Sequence, residues 1–187
     1  MKKRRGYRST SIHITHPKAV DTMLKTLLAM IVLFVAVSIG YGQTAIERGN
    51  MKFILKDYTG AIADYNKAIE LDPKDAKAFQ KRGDAKRTLE DYRGSIVDYN
   101  KAIELDPKES WAYFSRGVAK YMLEDSRGAI ADFNKAIELD PTFASAYYNR
   151  GLAKLLMGQK DSGCRDLSKA GELGHDEAYD AIKEYCR

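Results

Sequence analysis

The string AIxDxNKAIELDP occurs three times in this chain, at 61–73, 95–107 (with Ser95 for the first alanine) and 129–141, with a spacing of 34 residues each time. An Arg-Gly pair precedes each copy at one offset: Arg48-Gly49, Arg82-Gly83 and Arg116-Gly117. A fourth pair, Arg150-Gly151, keeps the period. Strict self-similarity at this period means stacked supersecondary units, each too small to bury its own apolar face, and not one mixed core. The body divides into units at 42–75, 76–109, 110–143 and 144–177, followed by a tail to residue 187.

Each unit reads as two helices. In the third, Ser110 to Leu123 contains no glycine or proline except Gly117, and a break at Glu124-Asp125-Ser126 follows. The second helix is predicted from about Arg127 to Leu139, with Ala129, Ile130, Phe133, Ala136 and Ile137 at helical spacing. Asp140-Pro141 ends it, because a residue before proline is pushed out of the α region. Gly49, Gly83, Gly117 and Gly151 sit mid-helix, where glycine costs up to ~1 kcal/mol against alanine. Close approach of the partner helix is the expected compensation. Ala68, Ala102, Ala136 and Ala170 play the same part on the second helix, and Tyr65, Tyr99, Phe133 and Leu167 fill the space between hairpins.

This ordered set resembles the tetratricopeptide repeat family over roughly residues 42–177. In the second unit it comprises Phe79, Gly83, Lys86, Ser95, Tyr99, Ala102 and Pro107. Lys52, Lys86, Lys120 and Lys154 stand where the family usually has an aromatic residue; since all units share the departure, it reads as a subtype. The fourth unit departs further, with Gly163 for alanine and His175 for proline. The resemblance implies an all-α, right-handed superhelical solenoid of about four antiparallel hairpins. Its concave groove would be lined by the first helices and serve as a protein–protein interaction surface without catalysis or cofactor.

A charged pair also recurs, at an offset of sixteen: Arg48/Asp64, Arg82/Asp98, Arg116/Asp132 and Arg150/Asp166. Recurrence in every unit marks scaffold, and the pairs read as salt bridges within each hairpin on a solvated rim. Function is expected where equivalent positions differ. Catalysis finds no support: His13 and His16 lie in the leader, no Ser/His/Asp set or phosphate loop is present, and His175 at a turn reads as a hydrated surface residue. The intervals between Cys164, His175 and Cys186 are too long for the usual zinc clusters.

The first 42 residues stand apart. Leu27 to Ile39 is an apolar run about as long as a secretory signal core and shorter than the ~20 residues that span a bilayer comfortably. The small residues Gly40 and Gly42 then suit cleavage before Gln43; an uncleaved anchor over residues 23–41 is the alternative. The polar stretch Gly6–Thr22 separates the basic residues Lys2–Arg5 from the apolar run, so Met23 reads as the true start, with a long n-region as the alternative. The chain is therefore expected to be exported, as a periplasmic or secreted protein of bacterial type, touching a membrane only if the leader stays. The net charge of +5 comes from that leader, whose seven basic residues and one acid give it +6. The remainder carries 24 basic and 25 acidic residues, so no basic excess points to nucleic acid.

Two site expectations remain. The tail is expected to form a capping helix over about 177–186, antiparallel to the second helix of unit four. Cys164 lies ten residues before Gly174 and Cys186 eleven after His175, so the arms match for a disulfide in an oxidising compartment; two buried free thiols are the other reading. The other expectation concerns one face of each first helix, at spacing i, i+3, i+7, i+10. It reads Trp111, Phe114, Val118, Tyr121 in unit three and Ser145, Tyr148, Leu152, Leu155 in unit four. In unit two it reads Lys77, Gln80, Asp84, Arg87, and in unit one Gln43, Ile46, Asn50, Phe53. By the resemblance this stripe lines the groove. A peptide or partner protein with apolar side chains is expected on units three and four, with polar contacts toward Lys77, Gln80 and Arg87. Lys77, Lys81, Asn50 and Asn149 do not fall into the family's clamp for a C-terminal carboxylate. Packing between neighbouring helices, or cover by a second copy, are the competing readings of the apolar stripe.

Overall fold

The computed structural model describes residues 17–186; the basic residues Lys2–Arg5, with His13 and His16, lie outside them. Nine helices and no strand occur among the described residues: α1 (Pro17–Ile54), α2 (Tyr58–Leu71), α3 (Ala76–Thr88), α4 (Tyr92–Leu105), α5 (Ser110–Met122), α6 (Ser126–Leu139), α7 (Ala144–Leu156), α8 (Lys160–Glu172) and α9 (Glu177–Tyr185). The chain divides into two compact units, residues up to Ser38 and residues from Ile39 on. Within the described residues one segment, Met23–Ile54, is long and apolar enough to cross a membrane. The helix shows no interruption at Gly42-Gln43, where the sequence places a cleavage point.

The second unit is a solenoid. The C-terminal part of α1 pairs with α2, α3 with α4, α5 with α6 and α7 with α8, and each second helix also packs on the first helix of the next hairpin. First helices touch one another, α3 with α5 and α5 with α7. No two second helices pack to that extent among the described residues, so the first-helix side is the tighter, inner face. The core is correspondingly a row of small clusters that link successive helices, such as Phe79 with Ala102 and Ala112, and Phe133 with Ala129 and Ala153.

The recurring residues have identifiable physical tasks. A Cβ on Gly83 would lie 2.8 Å from the Tyr99 ring, and one on Gly117 2.7 Å from the Phe133 ring, so glycine admits the large residue of the second helix. In unit four the backbones approach instead: a Cβ on Gly163 would sit 2.9 Å from the Gly151 carbonyl oxygen, which accounts for its departure from alanine. Asp57, Asp91 and Asp125 cap α2, α4 and α6 by accepting from the amides of Gly60, Gly94 and Gly128. A side chain on those glycines would strike the capping carboxylate. Unit four has neither the aspartate nor the glycine, but Gln159 and Ser162, and α8 has no side-chain cap bond.

The Arg/Asp pairs join the two helices of each hairpin, as the spacing predicts, and in units two to four they are not on a solvated rim, whereas in unit one Arg48 and Lys52 stay largely exposed. Arg82 donates through Nε to Asp98 at 3.0 Å, Lys86 Nζ lies 2.8 Å from the same carboxylate, and the Asp98 side chain is only 1% exposed. The same three-part arrangement holds Asp64, Asp132 and Asp166. The lysines that replace the family's usual aromatic residue are thus second cations for a buried carboxylate. Arg82, Arg116 and Arg150 also donate to Asn66, Asn100 and Asn134 of the preceding hairpin, each at 2.7 Å, tying unit to unit.

Candidate functional site

The inner face is built by α3, α5, α7 and the end of α1, and its character changes along the solenoid. In units three and four it is aromatic and apolar. Trp111, 41% exposed, lies with its ring centroid 5.3 Å from Phe114 and is stacked on Phe143 at 5.6 Å. Phe143 is 4.8 Å from Phe114. Sequence reasoning missed Phe143, which precedes α7 where the other units place the capping acids Asp75 and Glu109. That change from acid to aromatic was the available signal. Phe114, Val118 and Tyr121 are half-buried against Ala129, Phe133 and Ala153, so part of the stripe does pack between helices, and Trp111 is its most open member.

Tyr148, on α7, stacks on the His175 ring at 4.2 Å, and the His175 side chain is largely buried with Nδ1 3.1 Å from the Glu177 carboxylate. The reading of His175 as a hydrated surface residue is therefore corrected. Packing against the aromatic ring outweighs its hydration at the turn. Partial burial raises the Tyr148 hydroxyl above its ordinary pKa of 10, helped by the Glu177 carboxylate and then by Tyr121 and Glu184. The α9 helix thus brings acidic and aromatic side chains to the C-terminal end of the face, where half-buried Leu152 and Leu155 continue the apolar stripe. Cys164 of α8 and Cys186 after α9 face each other in a geometry that suits a disulfide, with Cα atoms 5.7 Å apart. No group of metal-ligating side chains assembles among the described residues.

The face is polar in unit two and mixed in unit one, where Asn50 stands beside Phe53 and Ile54. Lys77 is exposed, and Gln80, Lys81 and Arg87 are half-buried. Asp84 differs from its neighbours: it is buried, and its Oδ1 accepts from the Tyr99 hydroxyl at 2.9 Å. Burial raises its pKa despite opposing contributions from Tyr99, Arg87 and Lys81. Tyr65, from α2, donates to Asn50 Oδ1 at 2.9 Å, and burial pushes its hydroxyl up to about 12. Between these groups lies a cavity of about 300 Å³, lined by Asn50, Phe53, Ile54, Tyr65, Lys81 and Asp84.

Several solved structures share this architecture. The MamA protein superposes with a TM-score of 0.68 at 24% identity, over 78% of this chain and 90% of that one. The first TPR domain of Spaghetti (RPAP3), bound to the HSP90 peptide SRMEEVD, does so with a TM-score of 0.64 at 25% identity, over 64% and 95%. The Arabidopsis OM64 TPR domain gives 0.62 at 27% identity, over 63% and 97%. No curated protein sequence matches the chain. The TPR repeat family model matches at 49–86, 83–124 and 127–158. With its 34-residue period, paired helices and glycine-to-ring contacts, the chain belongs to the TPR repeat family.

Proposed function

We propose that the chain is a binding module that holds a peptide or partner protein on the inner face of units three and four, centred on Trp111 and Tyr148. The observation that carries this reading is the open Trp111 ring, set on Phe114 and Phe143 on the face that repeats build for contact. Contiguous aromatic groups left open to solvent are characteristic of interaction surfaces, and Trp and Tyr are favoured anchors. The ligand would present apolar side chains to Trp111, Phe114, Val118, Tyr121, Tyr148, Leu152 and Leu155, with polar contacts toward Lys77, Gln80 and Arg87. The RPAP3 domain shows that a domain of this fold accepts a peptide. A second reading, a structural subunit of an envelope assembly or homo-oligomer, is supported by the apolar side chains at the edge of unit one, where Met51, Ile54 and Leu55 are exposed.

We further propose export, with the leader removed before Gln43 and the mature chain in the periplasm or secreted; an anchor over residues 23–41 is the alternative. The apolar helix and the Cys164–Cys186 link support this reading. Intact-mass measurement of the extracytoplasmic protein distinguishes the two.

The binding reading is tested by replacing Trp111 and Tyr148 together with alanine. Affinity capture from the native envelope or secreted fraction should lose its specific partner while the thermal midpoint moves by only a few degrees. Val97→Ala, on the exposed side of α4, should change neither. Unaltered capture by the double variant would defeat the assignment. A concentration series by sizing chromatography decides the self-association reading, which requires growth in mass with concentration.

A further inference from the structure

The buried carboxylates of this fold follow one rule, and Asp84 breaks it. Asp64, Asp98, Asp132 and Asp166 are each held by one arginine and one lysine. Asp84 is comparably buried, accepts a hydrogen bond from Tyr99, and makes no ion pair among the described residues. The equivalent positions are Asn50, Val118 and Leu152, so no repeat constraint requires an acid there. A buried carboxylate without a cation is costly to keep in a structural role. Asp84 also borders the cavity of about 300 Å³ on the inner face, with Asn50, Phe53, Ile54, Tyr65 and Lys81.

We infer that this cavity is a subsite for an alkyl-cation side chain, a lysine or arginine of the bound partner, with the charge met by Asp84. The chemistry of the wall fits a group with an apolar stem and a cationic tip. Phe53 and Ile54 offer apolar surface for methylenes, and Phe53 an aromatic face for the charge. The Asp84 carboxylate, the Asn50 amide oxygen and the Tyr65 hydroxyl offer acceptors. Lys81 and Arg87 are cations of the same region, and both act on Asp84 without pairing with it. Burial still outweighs them, leaving a carboxylate that an incoming cation would compensate. Their repulsion makes the subsite weak alone, suited to selecting one residue within a longer peptide. The inference extends the inner-face reading to units one and two, but its test does not depend on the Trp111 region.

Saturation-transfer NMR with n-butylguanidinium on the full chain is the test, with butyrate and n-butanol as counter-probes. The methylene signals of n-butylguanidinium should be saturable, with a dissociation constant in the millimolar range, and should disappear in Asp84→Asn. That variant keeps an oxygen to accept from Tyr99, and its thermal midpoint should be unchanged or higher. Lys81→Met should tighten binding by about threefold, the order expected when one like charge several ångströms away is removed in a high effective dielectric. Binding of butyrate that is lost in Lys81→Met would overturn the inference in favour of an anion. Binding of n-butylguanidinium that survives Asp84→Asn, or no saturable binding, would overturn it as well. Any of these leaves the Trp111/Tyr148 assignment to its own experiment.

Discussion

Replacing Asp98 by alanine strips two cations of their common partner. The Asp98 carboxylate is 1% exposed, while Arg82 and Lys86 are 20% and 23% exposed. Removing one member of a buried ion pair costs ~3–5 kcal/mol. Here Arg82 keeps its bond to Asn66 and both cations can turn toward water, so a value near the lower end, about 3 kcal/mol, is expected. For a domain of this size that corresponds to roughly 6–12 °C in thermal midpoint. Asp64 gives the contrast. Its partners Arg48 and Lys52 are 57% and 42% exposed, so solvent screens the attraction and Asp64→Ala should cost only about 1 kcal/mol. Unit one also lies at an end of the solenoid, where repeats fray. Asp166, in the terminal unit four but with well-covered partners, separates the two causes: if burial governs, Asp166→Ala resembles Asp98→Ala. Urea unfolding followed by circular dichroism reads all three. A loss below about 1 kcal/mol at Asp98, or equal losses at Asp98 and Asp64, would refute the reasoning.

The turn between the helices of each hairpin uses a left-handed residue, Lys56, Glu90, Glu124 and Gly158, with φ between 62° and 74°. Glu90→Gly and Glu124→Gly should therefore each stabilise by up to ~1 kcal/mol, and Gly158→Ala should destabilise by a similar amount; thermal midpoints would show it. Unfolded, unreduced protein should contain no titratable thiol, and reducing the Cys164–Cys186 link across its 22-residue separation should cost roughly 3 kcal/mol; two free thiols would refute the pairing. Burial alone would raise the Asp64 carboxyl, but Lys52 and Arg48 overcome it and hold the pKa below 3.8. The folded state thus binds that proton more weakly than the unfolded one. The stability the pair provides is present above pH 3.8 and lost as pH falls through the lowered value, and Asp64→Asn should flatten the acid limb of the stability curve.

Features that repeat were legible because four copies supply their own comparison. The mid-helix glycines, the Arg/Asp offset and the proline stops follow from the 34-residue period alone. Their burial was less legible: Lys52, Lys86, Lys120 and Lys154 look like solvated surface until each second helix is seen to carry a carboxylate beneath them. Asn66, Asn100 and Asn134 recur in three units, yet their partners lie one unit away, so hairpin-by-hairpin reading left them unassigned. Features that occur once were hardest. Phe143 enters the aromatic cluster because the chain turns into α7 beside Trp111, and His175 is covered because α9 folds back beside Tyr148. Asp84 shares a stripe with Lys77, Gln80 and Arg87, and its burial depends on Tyr99 from the opposite helix.

The partner-binding role of the inner face is tested most directly by site-specific photocrosslinking in the native host. A benzoylphenylalanine at Leu152, on the inner stripe, should give a discrete higher-mass adduct with one partner. The same group at Val97, exposed on α4, should give none. Adducts from Val97 with none from Leu152 would contradict the account.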